Sequence, residues 1–386
     1  MTVSQPELLY YCPASVGGIA DYAHFQVVAL AGLGVRVTLL CPTDWPHPRG
    51  AGYAVRPSLL PSVGAKNLPR WQSRFRISRA IMLNQARLAA TVRHEGFRRV
   101  LCATYSEYLA PLWAPKLRRA SASGVLFGAV VHDPVRDYVV GPLWWHRRSV
   151  AAGYSYLREA FVHDEITLDT VQSMPRLHTT VIPHGTYSFP QPDTGRAKTR
   201  AELGIPESAT LMLSFGHIRD GKNLDLVLRA MAECPNFYLL VAGKEGSSGQ
   251  RPVSFYQALA SQLGVADRCR WFVRFIVERE VGNLFVASDL ALLMYSKVFR
   301  SASGVLNAAV FYRTRCLASS GPGGLRSSVE KYDLGVWVEP DAVEAIVDGL
   351  RQLQTNDINP RWRAYERENS WEQNATLVKE RMFSAA

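Results

Sequence analysis

The sequence contains no C-x-x-C pair. Its six cysteines, Cys12, Cys41, Cys102, Cys234, Cys269 and Cys316, are scattered, mostly through apolar runs. That spacing argues against a zinc ribbon and a disulfide frame, and it predicts reduced core thiols in a cytosolic protein. No apolar run reaches the roughly 20 residues of a spanning helix. The start, Met1-Thr2-Val3-Ser4-Gln5-Pro6-Glu7, lacks the basic head and apolar core of a signal peptide. No metal-ligand spacing is visible. No tandem repeat, helix-turn-helix, RNP-like or zinc pattern is visible either, so nucleic acid is not the expected partner. Acidic residues are scarce: 33 Asp and Glu against 44 Lys and Arg leave a net charge of +11. An excess of that sign points to an anionic partner.

What is present is a long, globular composition. A chain of 386 residues, 47% apolar and 20% charged, is expected to form two domains of ordinary size. Leu8-Leu9-Tyr10-Tyr11-Cys12 reads as a strand, Pro13-Ala14-Ser15-Val16-Gly17-Gly18 as a turn, Ile19 to Leu33 as a helix and Val35 to Cys41 as the next strand. This is a βαβ unit. The Gly17-Gly18 pair lets an anion approach the backbone. It does not make the G-x-G-x-x-G dinucleotide fingerprint, and the unit lacks a clear ribose-binding acid at the end of its second strand, Asp44 being the nearest candidate. Further strands are expected at Arg99–Thr104, Val125–Val131, Ala160–His163 and Thr179–Gly185. His132-Asp133 falls just past the carboxyl end of one of them, where open parallel sheets bind ligands.

Lys66 to Arg99 is strongly basic, with Glu95 as its single acid. Arg70, Trp71, Arg74, Phe75 and Arg76 mix arginine with aromatics, as a segment lying on an anionic membrane would. Trp144 and Trp145, followed by His146-Arg147-Arg148, could sit on the same interface. The alternative is an ordinary arginine-rich surface helix.

Gly185 to Lys198 is rich in proline and glycine and reads as a linker. Beyond it the βα alternation starts afresh. Leu211 to Gly216 is a strand, and His217-Ile218-Arg219-Asp220-Gly221-Lys222-Asn223 is a turn whose Arg219 and Lys222 suit a diphosphate. Phe237 to Gly243 is the next strand, and Cys269 to Phe275 another. Asp289 to Tyr295 is a buried strand that runs to Ser301-Ala302-Ser303-Gly304-Val305-Leu306-Asn307, a small-residue turn opening a helix. The first N–H groups of such a helix are an anion site. The tail, Trp362 to Phe383, reads as polar and helical.

Taken together, these segments resemble the retaining glycosyltransferases of GT-B fold often called family four. The resemblance rests on residues 13–22, on Phe215 to Asp225, on Leu240-Val241-Ala242-Gly243, on Arg274-Phe275-Ile276, on Ala287-Ser288-Asp289-Leu290, on Ser303-Gly304-Val305-Leu306, and on Glu339-Pro340-Asp341 and Ser370-Trp371. It implies an α/β chain of two Rossmann-like domains facing each other across a cleft. Residues 1–188 would hold the acceptor, residues 199–365 the nucleotide-sugar, and a helix in 366–386 would pack back on the first domain. His132, Arg219 and Lys222 would be catalytic. Gly17, Gly18, Gly216, Gly243, Ser303, Gly304, Val305, Leu306 and Asn307 would bind the donor, a UDP- or GDP-sugar. Asp21 and Asp133 would touch acceptor or sugar. The acceptor would be a glycan or a lipid-linked molecule on the inner membrane face. No metal and no cofactor would be needed, because Arg219 and Lys222 would neutralise the leaving diphosphate.

There are departures from the family pattern. The Glu-x(7)-Glu pair usual around the last turn is replaced by Phe299 and Asn307, and His217 stands where many relatives have arginine. Two other readings follow: a catalytically silent GT-B subunit that binds a partner enzyme or glycan, and, for want of a fingerprint less favoured, a nicotinamide-dependent oxidoreductase.

Overall fold

A computed structural model describes residues 5–47, 52–61, 69–132, 134, 139, 141–246, 249–300, 303–355 and 357–384. The chain divides into two compact units, residues 1–185 with 369–386, and residues 186–368.

The first unit is built from β1 (Glu7–Tyr11), α1 (Gly18–Gly32), β2 (Arg36–Pro42), β3 (Ala54–Leu59), α2 (Arg70–Glu95), β4 (Arg99–Cys102), α3 (Ala110–Ala122), β5 (Leu126–Val130), α4 (Leu143–Tyr154), β6 (Glu159–Val162) and β7 (His178–Val181). Its seven strands are parallel and run in the order β3-β2-β1-β4-β5-β6-β7. Leu8, Leu9 and Tyr10 of β1 and Phe127 of β5 are fully buried, because helices cover both faces of the sheet. The basic stretch, expected to be partly helical, is a single helix of 26 residues from Arg70, closed by Gly96 at φ 74°.

The second unit contains α5 (Arg196–Glu202), β8 (Thr210–Phe215), α6 (Leu224–Glu233), β9 (Phe237–Ala242), α7 (Val253–Gln262), β10 (Cys269–Phe272), α8 (Glu278–Ala287), β11 (Leu290–Met294), α9 (Gly304–Phe311), β12 (Arg315–Ser319), α10 (Gly324–Lys331), β13 (Gly335–Trp337), α11 (Val343–Thr355) and α12 (Trp362–Glu368). Its sheet order is β10-β9-β8-β11-β12-β13, again parallel. The strand order reverses between β8 and β11, and open sheets of this kind bind ligands just past the strand ends at that point. Arg200 is almost wholly buried, and its two terminal nitrogens are held there: one pairs with Asp289 at 3.1 Å and donates to the Ala287 carbonyl, and the other donates to the Pro206 carbonyl.

The tail was expected as one helix and is two. After α12 the chain turns at Asn369 and Ser370 and continues as α13 (Trp371–Ser384), which lies on α1 in the first unit. Three contacts fix it. Arg381 grips the buried carboxylate of Glu159 at 2.8 and 3.0 Å. Asn374 accepts from Gln26 at 2.7 Å and donates to the Tyr22 hydroxyl at 2.8 Å. Trp371 packs on Gly185, where a Cβ would fall on the indole and where φ is 84°, so only glycine serves there. All six cysteines are buried and unpaired with one another. Burial pushes the thiols of Cys12, Cys102 and Cys316 up to about 12, which makes them inert core residues. Among the described residues no helix is long and apolar enough to cross a membrane.

Candidate functional site

In the second unit, the groups singled out in the sequence gather past the carboxyl ends of β8 and β11. Gly216 ends β8 at φ 88°, which lets the chain turn back sharply. A Cβ on Gly243 would fall on the Gly216 carbonyl, so Gly243 has a packing reason to be glycine. The turn then brings Lys222 under the strand, where its Nζ donates to the Phe215 carbonyl. Among the described residues no carboxylate pairs with it. Burial, and secondly the neighbouring Arg219 guanidinium, push the ammonium down to about 7. Arg219 and His217 are exposed beside it. Asp220 anchors the same turn: it accepts from Arg251 Nε at 2.9 Å and from the Tyr256 hydroxyl at 2.8 Å. Asp341, part of the closing Glu-Pro-Asp segment, accepts from Asn223 at 2.9 Å and from the Lys297 amide at 3.1 Å, tying this turn to the one after β11. Sequence reading missed that tie, because its halves lie 118 residues apart.

The turn after β11 differs in detail from the expectation. Ser301 and Ala302 lie outside the described residues. Ser303 caps α9: its hydroxyl accepts from the Leu306 amide at 3.3 Å and bonds the Tyr295 hydroxyl at 2.9 Å. Leu306 therefore has its amide engaged, and its role as an anion donor is corrected. The amides of Gly304 and Val305 have no acceptor among the described residues. Open space surrounds the Gly304 Cα. Asn307 is buried and accepts from the Tyr365 hydroxyl at 3.5 Å, turned into the core rather than toward a ligand. Phe299, in the place of the other glutamate, stacks on Tyr295 with ring centroids 4.0 Å apart. Neither position carries the charge of the family pair.

In the first unit, Gly17 caps α1 at φ 78°, and nothing lies within 4 Å of a Cβ on Gly17 or Gly18. The backbone there is open to a ligand. Asp21, in the first turn of α1, is paired with His47 at 3.1 Å, and Asp44 accepts from Ser15 at 3.0 Å. Asp133 lies outside the described residues. His132 Nε2 meets the Ala103 carbonyl at 3.0 Å, and its Nδ1 lies 3.3 Å from His163 Nε2. His184 completes a group of three imidazoles whose nitrogens lie within 4.8 Å of one another. The expectation that no ligand cluster exists came from spacing along the chain. The three rings come together because β5, β6 and β7 are neighbours in the sheet.

The basic aromatic residues of α2 and α4 are largely at the surface. Trp71 and Phe75 are each 70% exposed, Trp144 is 65% exposed, and Arg74 and Arg76 are exposed beside them. The side chain of Arg70 lies outside the described residues. Trp145 is half-buried and, with Arg74, Ile77 and Ile81, lines a cavity of about 580 Å³ between α2 and α4.

Comparison with known proteins fits this architecture. Residues 195–377 match the family of glycosyl transferases group 1. A D-inositol 3-phosphate glycosyltransferase of Mycolicibacterium smegmatis is 31% identical over 162 residues, which is 40% of this chain and 36% of that protein. The match thus spans about a third of the relative's length. A glycosyltransferase from Rickettsia africae superposes with a TM-score of 0.66 at 13% identity, covering 99% of this chain and all of that one. HepE of Anabaena, solved with UDP and glucose, superposes with a TM-score of 0.62 at 13% identity, covering 98% and 95%. The chain therefore carries the GT-B fold, and its residues 195–377 are similar to the group 1 glycosyl transferases.

Proposed function

We propose that the protein is a glycosyltransferase that moves a sugar from a nucleotide-sugar to a glycan or lipid-linked acceptor, with retention of configuration. The second unit holds the donor and the first the acceptor. The observation that carries this reading is Lys222. A buried ammonium without a carboxylate among the described residues, beside an exposed arginine and in the same unit as the open amides of Gly304 and Val305, is an unmet demand for an anion. The family match of this unit and the UDP held by the Anabaena protein support a nucleoside diphosphate.

In the proposed step the bond from the anomeric carbon to the diphosphate oxygen breaks, and the acceptor hydroxyl oxygen bonds to that carbon from the same face. The hydroxyl proton passes to the leaving phosphate. Lys222, Arg219 and the amides stabilise the charge that develops there, so no side-chain nucleophile and no metal is required. His132 contacts the transferred sugar or the acceptor. The protein works at the cytoplasmic membrane face, with Trp71, Phe75 and Trp144 entering the interface and the neighbouring arginines meeting anionic headgroups. Flotation with anionic vesicles tests that docking: salt-sensitive binding is expected, and no binding, or binding indifferent to high salt, would count against it.

Donor turnover tests the reaction. Lys222→Ala is expected to lose it, and wild-type rates in that variant would sink the assignment. A second reading has its own observation. Phe299 stacked on Tyr295 and Asn307 turned to Tyr365 leave the donor site without its family carboxylates, as in a silent subunit that binds a partner or a glycan. Transfer or hydrolysis of a nucleotide-sugar by the isolated protein would remove it.

A further inference from the structure

In the first unit, His132 lies beside two further histidines, His163 and His184, to which the proposed sugar transfer gives no role. His132, His163 and His184 lie two, one and three residues past the ends of β5, β6 and β7, three adjacent parallel strands. Backbone carbonyls fix two of their tautomers. A carbonyl only accepts, so His132 Nε2, 3.0 Å from Ala103 O, and His163 Nδ1, 3.2 Å from Ile182 O, carry the protons. In the neutral rings the remaining nitrogens, His132 Nδ1 and His163 Nε2, are then both lone pairs, and they face each other at 3.3 Å. A facing pair at that distance is held by something positive between the two nitrogens, a shared proton or a cation.

We propose that His132, His163 and His184 form a three-nitrogen site for a borderline divalent cation of the Zn²⁺ class. With metal–nitrogen bonds of about 2.0–2.1 Å, two ligands of a tetrahedral ion stand about 3.3–3.4 Å apart, which is the separation of the facing pair. The third ring offers a nitrogen within 4.8 Å of the others. Nitrogen-only ligands favour Zn²⁺, Co²⁺ or Ni²⁺ over Mg²⁺ or Ca²⁺, which take oxygen. The carbonyls of Ala103 and Ile182 are the outer partners that orient metal-binding imidazoles. Tyr22 packs its ring against all three, with centroids 4.7, 5.4 and 5.4 Å away, and restricts their rotation. Three ring nitrogens around a tetrahedral ion leave a fourth position for water or a ligand oxygen.

The test uses the untagged full chain stripped with a chelator and titrated with Zn²⁺ by calorimetry and with Co²⁺ by visible absorption. One equivalent should bind, and Co²⁺ should give the intense bands of a four- or five-coordinate nitrogen site. Outer-partner changes alone cost 10–100-fold in affinity, so His163→Ala and, separately, His184→Asn should each cost about 100-fold or more. His178→Ala, an exposed histidine elsewhere, should cost nothing. Nucleoside diphosphate binding by the second unit should persist in both cluster variants, which also reports that they fold. No cation binding by the stripped protein, or equal binding by wild type and His163→Ala, would overturn the site.

Discussion

Two places in this molecule bury ionisable nitrogens past the ends of parallel strands, and burial does opposite things for them. In the second unit it leaves Lys222 a cation under pressure, pushed down to about 7, and the proposed occupant is an anion. In the first unit it holds the imidazoles of His163 and His184 below their ordinary value, beside His132, and the proposed occupant is a cation. The same desolvation is at work in each. What differs is the ordinary charge of the group and what lies beside it: an arginine in one place, further imidazoles in the other. The comparison teaches that a strand-end site is read from the charge its burial fails to satisfy, not from its position in the fold alone.

The largest effect that would sharpen this contrast is on turnover. Removing one preorganised charge-stabilising donor typically costs about 10²–10³ in rate, so Lys222→Ala should lower kcat with a nucleotide-sugar by that factor, measured at saturating donor. A loss confined to KM would show that Lys222 serves binding alone. Next is the stability of the first unit. Arg381→Ala strips the partner from a buried Glu159, and, discounted for the partial exposure of Arg381, should cost about 2 kcal/mol in urea unfolding. A change near zero would mean that α13 is held by its apolar contacts instead.

The third prediction is a pH dependence with a definite sign. Lys222 titrates near 7 when folded and near its ordinary 10.5 when unfolded, so between those values the unfolded chain binds more protons and stability rises with pH. Its penalty is complete below pH 7. Lys222→Met should therefore raise Tm by about 2 °C or more at pH 6 and by less at pH 10. An equal gain at both would mean that the charge is not the cause. The smallest effect concerns the surface: Trp71→Ser should weaken vesicle binding about tenfold in the flotation assay, since one interfacial aromatic contributes a little over 1 kcal/mol.

The fold was legible because it rests on local pattern. Apolar runs such as Leu290–Met294 and glycine turns such as Gly216 announce strands and their ends, and their alternation gives the parallel sheet. Short or half-exposed elements were less so: β3 has little apolar alternation, and the break at Asn369 between α12 and α13 carries no proline or glycine. At the site, Arg219, Lys222 and the Ser303 turn could be named from residue type and position. The partnerships could not. Asn307 turns inward because a tyrosine 58 residues away meets it, Leu306 loses its amide to a cap that only geometry reveals, and Asp341 reaches two turns at once. The three histidines sit 31 and 21 residues apart, a spacing with no motif, and meet only through strand order.

The central claim is that Lys222 awaits an anion, and calorimetric titration with UDP and GDP at pH 8, repeated in two buffers of different ionisation heat, tests it most directly. Lys222 is mostly neutral at that pH, and a bound diphosphate raises its affinity for protons. One of the two nucleotides should bind with uptake of close to one proton, falling toward none at pH 6 and absent in Lys222→Met. Binding of neither, or tight binding with no proton uptake at pH 8, would contradict the account.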